Sequence, residues 1–142
     1  MTHSSLQTIA DEVMALPLYR YLGLELISME PGAAEVRLPI SGSSMGLGHF
    51  NGGLMPALLD AACFFAVLPM LEDDEECSTT DTSSVLLRPS QIDDVIDVHG
   101  EVVQRGRTRA FSRATAAVEG RTIAYGHVTK AITRPEGQRW TA

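Results

Sequence analysis

The sequence predicts an α+β fold in which an antiparallel β-sheet curls around one central α-helix. The segment Leu54–Leu71 carries only one charged side chain, that of Asp60, and a helix that is apolar nearly all round must be enclosed on most sides. Short strand candidates lie before and after it. In the candidate Arg107–Val118, small side chains occupy every second position from Ala110 to Ala116, so a helix can lie close on that face of the sheet.

The helices and strands before the central helix are predicted from the spacing of apolar residues and from the positions of proline and glycine. An apolar stripe up to about Ala15 predicts a first helix, which Pro17 ends, and a short turn to Leu22 follows. Leu24–Glu30 and Ala34–Ile40 are strand candidates, and the second alternates apolar and polar residues. A glycine-rich loop then leads into the long helix.

Beyond the central helix, the acidic block Glu72–Glu76 predicts a solvated loop. Four strand candidates follow, and the last three are joined by short hairpin turns at Arg105–Arg107 and Glu119–Arg121. The four strands lie near Thr79–Leu87, Val95–Gln104, Arg107–Val118 and Arg121–Thr133.

Composition limits the possible classes of protein. The chain has 142 residues, 44% hydrophobic and 20% charged, so we expect one domain over residues 1–142. The net charge of −7 disfavours nucleic acids and anionic membranes, whose phosphates are bound by lysine and arginine. Two cysteines cannot form a disulfide framework, no cluster has metal-ligand spacing, and the first residues show no secretory signal. We therefore expect a cytoplasmic protein without a metal.

A membrane span is the alternative interpretation of the apolar segment. Its 18 residues include Asp60, Pro56 and Pro69 lie near its ends, and the residues that follow are acidic instead of basic. We therefore expect a core helix and no membrane span.

The segment that leads into the helix has the features of a catalytic site. Gly52 and Gly53 allow close backbone approach, and free N–H groups at a helix N-terminus suit an anion or a polarised carbonyl oxygen. Asp60 is a lone carboxylate on an apolar helix, which is costly unless it is partnered or used. Because eight positions correspond to about 12 Å along a helix, Gly52 and Asp60 could share one carbonyl group only across a two-fold axis. A shared site predicts an obligate dimer.

These residues also carry a resemblance to a known family. Asn51-Gly52-Gly53 followed by Leu58-Leu59-Asp60-Ala61-Ala62 resembles the hotdog-fold acyl-CoA thioesterases, in particular the branch related to the phenylacetate-pathway thioesterases. The similarity extends to Val85–Pro89 and Val102–Thr108 and covers about residues 17–134. It implies a hotdog fold, hydrolysis of an acyl-CoA to a free acid and coenzyme A, no cofactor, and a homodimer or a dimer of dimers.

The resemblance implies roles for individual residues. The Gly52 N–H would polarise the thioester carbonyl, Asn51 takes the place of the family's histidine, and Asp60 would be the nucleophile or the general base toward water. The candidate substrate-binding residues are Gly53, His49, Met45 and Phe64, with Arg88, Arg105 and Arg107 for the phosphates of coenzyme A.

Two other functions stay open from the sequence. Gly48-His49-Phe50 and Met55-Pro56 also resemble the 3-hydroxyacyl dehydratases of the same fold, although the spacing from His49 to Asp60 is shorter than in that family. A non-catalytic acyl-CoA-binding dimer is the second alternative, because Met45 stands where members of the thioesterase family often carry a polar side chain, and Phe64 stands where some members do.

Overall fold

Six strands form one antiparallel sheet around a long helix in the computed structural model, which describes residues 3–136. The helices and strands are α1 (His3–Met14), α2 (Pro17–Leu22), β1 (Glu25–Glu30), β2 (Ala33–Pro39), α3 (Met55–Val67), β3 (Glu76–Leu86), β4 (Val95–Arg105), β5 (Arg109–Val118) and β6 (Arg121–Thr133). The strand order is β1-β2-β4-β5-β6-β3, and all neighbours are antiparallel. Helix α3 contacts all six strands, which confirms the predicted α+β architecture.

Two helical segments differ from the sequence prediction. Pro17–Leu22, predicted as a turn, is a short helix: its first residue is a proline, which suits a position where no N–H is needed, and Gly23 ends it at a φ of 75°. Of the predicted helix Leu54–Leu71, only Met55–Val67 forms a regular α-helix. It continues as a 3₁₀ turn at Leu68–Met70, where Pro69 lacks the N–H that a longer helix would need.

The central helix lies close on the sheet because a row of small residues crosses four adjacent strands. The cross-strand register aligns Ala34 on β2, Gly100 on β4, Ala114 on β5 and Gly126 on β6, and all four are buried. A Cβ atom at Gly100 would lie 2.6 Å from the carbonyl carbon of Ala62 in α3. The helix backbone therefore rests directly on the strand backbone.

The apolar segment that resembles a membrane span forms the centre of the core. By length and a mean hydropathy of 1.7, the helical stretch Gly52–Met70 qualifies as a span, and 56% of its most apolar window is buried inside the fold. Leu58, Leu59 and Phe65 are fully buried there. The sheet thus covers most of the apolar surface of this helix.

The acidic block Glu72–Glu76 is not simply the solvated loop that its charge predicts, because Glu75 is fully buried. Its Oε2 accepts hydrogen bonds from Arg105 and from the Glu72 N–H. Arg134 Nη2 lies 2.8 Å from Oε1, at ion-pair distance but without hydrogen-bond alignment. Burial alone would raise the pKa of Glu75, but the backbone donor and the two guanidinium groups hold it below its ordinary value.

We expect Gly100→Ala to destabilise the fold by about 1–3 kcal/mol, because the added methyl group overpacks the contact between α3 and β4. Gly42→Ala is the matched control: a Cβ atom there meets nothing within 4 Å, so its effect should stay below about 0.5 kcal/mol. Urea denaturation measures both variants. Equal midpoints for the two would contradict the close approach of helix and strand.

The ion pairs of Glu75 predict a specific loss of stability in acid. A carboxylate whose pKa is lowered by folding stabilises the native state above its unfolded pKa, near the ordinary value of 4.5, and this contribution disappears as the pH falls through the lower folded pKa. Glu75→Gln removes the titrating group. We therefore expect the Tm difference between wild type and Glu75→Gln to be largest near neutral pH and to shrink below about pH 4.5. A difference that stays constant down to pH 3 in thermal unfolding would refute this role.

Candidate active site

The central helix is buried except along one stripe. Gly53, just before α3, is exposed, and the half-buried residues Ala57, Asp60 and Phe64 follow at intervals of three or four. Residues with this spacing share one face of a helix. Asp60, the only charged residue of the helix, therefore lies on the face that the sheet leaves uncovered.

The Asp60 carboxylate has two partners on the sheet, which corrects its description as a lone acid. Its Oδ1 accepts a hydrogen bond from Thr79 Oγ1 at 2.7 Å and one from Lys130 Nζ at 2.7 Å. Lys130 Nζ also donates to Thr79 Oγ1, again at 2.7 Å. Oδ2 accepts no hydrogen bond from residues 3–136, and the side chain is 25% exposed. The site therefore consists of a carboxylate with one oxygen held and the other accessible.

Lys130 is the functional candidate that sequence reasoning missed. It is the only lysine in the chain, its side chain is 2% exposed, and it pairs in register with Thr79 of β3. The signal that could have found it is its position along the strand. Lys130 lies two residues from each of the inward-facing Val128 and Ile132, so its side chain is on the same face of the strand. A buried ammonium group needs a counter-charge, and Asp60 provides one.

Three further side chains adjoin this pair. The Phe64 ring centroid lies 5.5 Å from Lys130 Nζ, within cation–π distance. Burial, with the Asp60 charge added, raises the pKa of Tyr19 to about 12. Burial also raises the pKa of Cys63 to about 12, with Lys130 opposing the shift and Asp60 adding to it. Both groups stay protonated at neutral pH, so Cys63 is no thiolate nucleophile.

The second part of the site is the N-terminal end of the helix segment. Asn51 Oδ1 accepts a hydrogen bond from the Gly53 N–H at 3.0 Å, as a helix cap does. The Gly52 N–H, in contrast, has no partner in the described part of the chain. Gly52 also lines a shallow cavity of about 330 Å³ together with Arg88 and Leu86. A backbone N–H without a partner in the described residues thus belongs to a residue that lines the same depression as an arginine.

The other predicted site residues lie apart from these two groups. His49 is exposed on a small hairpin closed by the Met45–Phe50 bridge, and no hydrogen bond joins it to Asp60 within residues 3–136. Arg105 donates to the buried Glu75, so its guanidinium group already has a partner in the fold. Arg107 is exposed in the turn before β5. Binding of coenzyme A by these two arginines stays a prediction.

Comparison with known proteins identifies the class. The model of the thioesterase superfamily matches residues 47–125, more than half of the chain, so the chain belongs to the thioesterase superfamily. The family resemblance inferred from the sequence is confirmed. No curated protein matches the chain.

Solved structures with the same architecture share little sequence with this chain. A thioesterase from Haemophilus influenzae is 17% identical, with a TM-score of 0.80 over 88% of each chain. A thioesterase family protein from Silicibacter pomeroyi is 24% identical, with a TM-score of 0.82 over 91% of this chain and 98% of that one. A variant of the phenylacetic acid degradation protein PaaI from Thermus thermophilus is 23% identical, with a TM-score of 0.75 over 81% and 97%. The fold is therefore the hotdog fold.

Proposed function

We propose that this protein is an acyl-CoA thioesterase that hydrolyses an acyl-CoA to a carboxylic acid and coenzyme A. The observation that carries the proposal is the pairing of two features on one helix segment: the unpartnered N–H of Gly52 at its start and the carboxylate of Asp60 on its uncovered face. A backbone donor for a carbonyl oxygen and a base for water are what thioester hydrolysis needs.

The reaction follows from these two groups. The Gly52 N–H donates to the thioester oxygen, which gains negative charge as the carbonyl carbon is attacked. Asp60 either removes a proton from the attacking water or attacks the carbon itself, and water then hydrolyses the acyl-enzyme. In both cases the carbon–sulfur bond breaks, oxygen from water enters the acid, and the coenzyme A sulfur takes up a proton. The chemistry needs no metal or cofactor.

The separation of Gly52 and Asp60 along the helix is the reason to propose a site built from two chains. Gly52 and Asp60 are separated by about 12 Å of helix rise, too far for one carbonyl group. Within residues 3–136, strand β3 lies at an edge of the sheet and pairs with β6 alone, so its other side can accept a second copy in antiparallel pairing. Thr79, which contacts Asp60, belongs to this strand. We propose a homodimer in which Gly52 of one subunit faces Asp60 of the other.

The neighbourhood of Gly52 supports binding of coenzyme A. Arg88 lines the same cavity as Gly52, and its guanidinium group donates to the Thr122 carbonyl at 2.5 Å, which leaves other N–H groups for a phosphate. The dehydratase alternative needs His49 beside Asp60, and it is separated from thioester hydrolysis by the product that is formed.

We expect Asp60→Asn to lower kcat/KM for acyl-CoA hydrolysis by about 10²–10⁴-fold, because the amide can neither accept the proton of water nor act as a nucleophile. The measurement is release of free thiol from a panel of short, long and aromatic acyl-CoAs. Asp97→Asn, which removes an exposed carboxylate paired with Arg37 on the outer face of the sheet, is the control and should keep full activity. Binding without thiol release by wild type would indicate the non-catalytic alternative, and water loss from a 3-hydroxyacyl-CoA would indicate the dehydratase.

The shared site predicts complementation between two inactive variants. Gly52→Pro removes the N–H at the first position of a 3₁₀ turn, where proline is tolerated, and should lower kcat by about 10²–10³-fold. Random assembly of co-expressed Gly52→Pro and Asp60→Asn chains makes half of the dimers mixed, each with one intact site, so roughly a quarter of wild-type activity should return.

Gly52→Ala is the control for the added side chain. Its Cβ would meet Leu86 Cδ2 at 2.8 Å, the flexible end of a side chain, and it keeps the N–H, so its activity should stay well above that of Gly52→Pro. Absence of recovery in the co-expressed pair would show that both groups act within one chain.

A further inference from the structure

We propose that Lys130 and Thr79 are positioning residues that hold Oδ1 of Asp60, so that Oδ2 is the oxygen that acts on water or substrate. This inference rests on the proposed thioesterase function and assigns the reacting atom within it. Neither Lys130 nor Thr79 lies near Asp60 in the sequence, and both reach it from the sheet.

The geometry distinguishes the two carboxylate oxygens. Oδ1 of Asp60, Nζ of Lys130 and Oγ1 of Thr79 form a triangle whose three sides are all 2.7 Å. Two donors fix Oδ1 in position. Oδ2 has no hydrogen-bond partner in the range 3–136 and is not buried without one, so it is the oxygen that solvent and substrate can reach. A base or nucleophile must have a free lone pair, and only Oδ2 has the access that this requires.

The burial of the pair favours a role beyond folding. Lys130 is 2% exposed whereas Asp60 is 25% exposed, so the cation lies deeper than the anion it serves. Replacing both members of a buried ion pair by apolar side chains of similar volume is often neutral or even stabilising, so folding alone does not require such a pair. The ammonium group supplies what an apolar side chain cannot, namely a fixed donor to one oxygen of the carboxylate.

The surroundings also limit the motion of Lys130. Its ammonium group donates to Asp60 and Thr79, and the Phe64 ring lies 5.5 Å away. Phe64 packs edge-to-face against the buried Phe65, with ring centroids 5.3 Å apart. The positioning group is thus itself held by packing, which is what a precise site requires.

The kinetic test compares Lys130→Met, Lys130→Arg and Thr79→Val with a control at a second buried ion pair. Lys130→Met keeps the length and removes the charge, and we expect kcat to fall by about 10²-fold with KM changed by less than about twofold. Lys130→Arg should recover part of the loss, and Thr79→Val should lower kcat by a smaller factor than Lys130→Met. Glu75→Gln should lower Tm and leave kcat unchanged. In an Asp60→Asn background, Lys130→Met should have no further effect on kcat.

A structural test gives a result even without activity. Crystal structures of wild type, Lys130→Met, Thr79→Val and Glu75→Gln should show the Asp60 carboxylate rotated or in two conformers in the first two variants and unchanged in the third. A carboxylate that keeps its orientation in both Lys130→Met and Thr79→Val, or a loss of kcat no larger than in Glu75→Gln, would overturn the inference. If wild type releases no thiol from any acyl-CoA, the proposed function fails, and the crystal structures alone decide whether Lys130 positions Asp60.

Discussion

The close contact between helix α3 and the sheet is the constraint on which the rest of the structure depends. Gly100 has no side chain, so the helix backbone at Ala62 rests on the strand, and the row of small residues extends this contact across four strands. Here the helix lies low enough for Asp60 and Lys130 to bond directly.

The same contact determines which face of the helix stays open. A sheet that contacts the helix with all six strands buries every face that it wraps, and only the stripe through Ala57, Asp60 and Phe64 is left half-exposed. An apolar helix with an uncovered stripe would expose hydrophobic surface in a monomer. In the proposed dimer, the carboxylate would therefore lie where the partner subunit and the substrate both approach.

Local sequence patterns predicted the helices and strands, whereas the site depends on how strands that are distant in sequence align with one another. The two-residue alternation of Ala34–Ile40 and the nearly uncharged run from Leu54 were sufficient for the sheet and the core helix, because those patterns repeat over neighbouring residues. The Asp60–Lys130 bond joins positions 70 residues apart, and the small-residue row depends on how four strands align. Neither can be read from one segment alone. The burial of Glu75 was missed for the same reason, since Arg105 reaches it from the end of another strand.

The position of Thr79 connects the carboxylate to the edge of the sheet. One turn after Asp60 the helix carries Phe64, which has no hydroxyl group, and the hydroxyl group beside Asp60 comes from Thr79 on β3. Strand β3 carries a register irregularity between Thr79 and Asp81, and such bulges re-aim neighbouring side chains. Because β3 is also the edge at which the proposed partner would pair, pairing there would hold the bulge and the Thr79 hydroxyl in place. In such a dimer, two contacts would hold Asp60 in position. One is the bond to Lys130 of its own subunit, and the other is the bond to Thr79 on the strand that the partner covers.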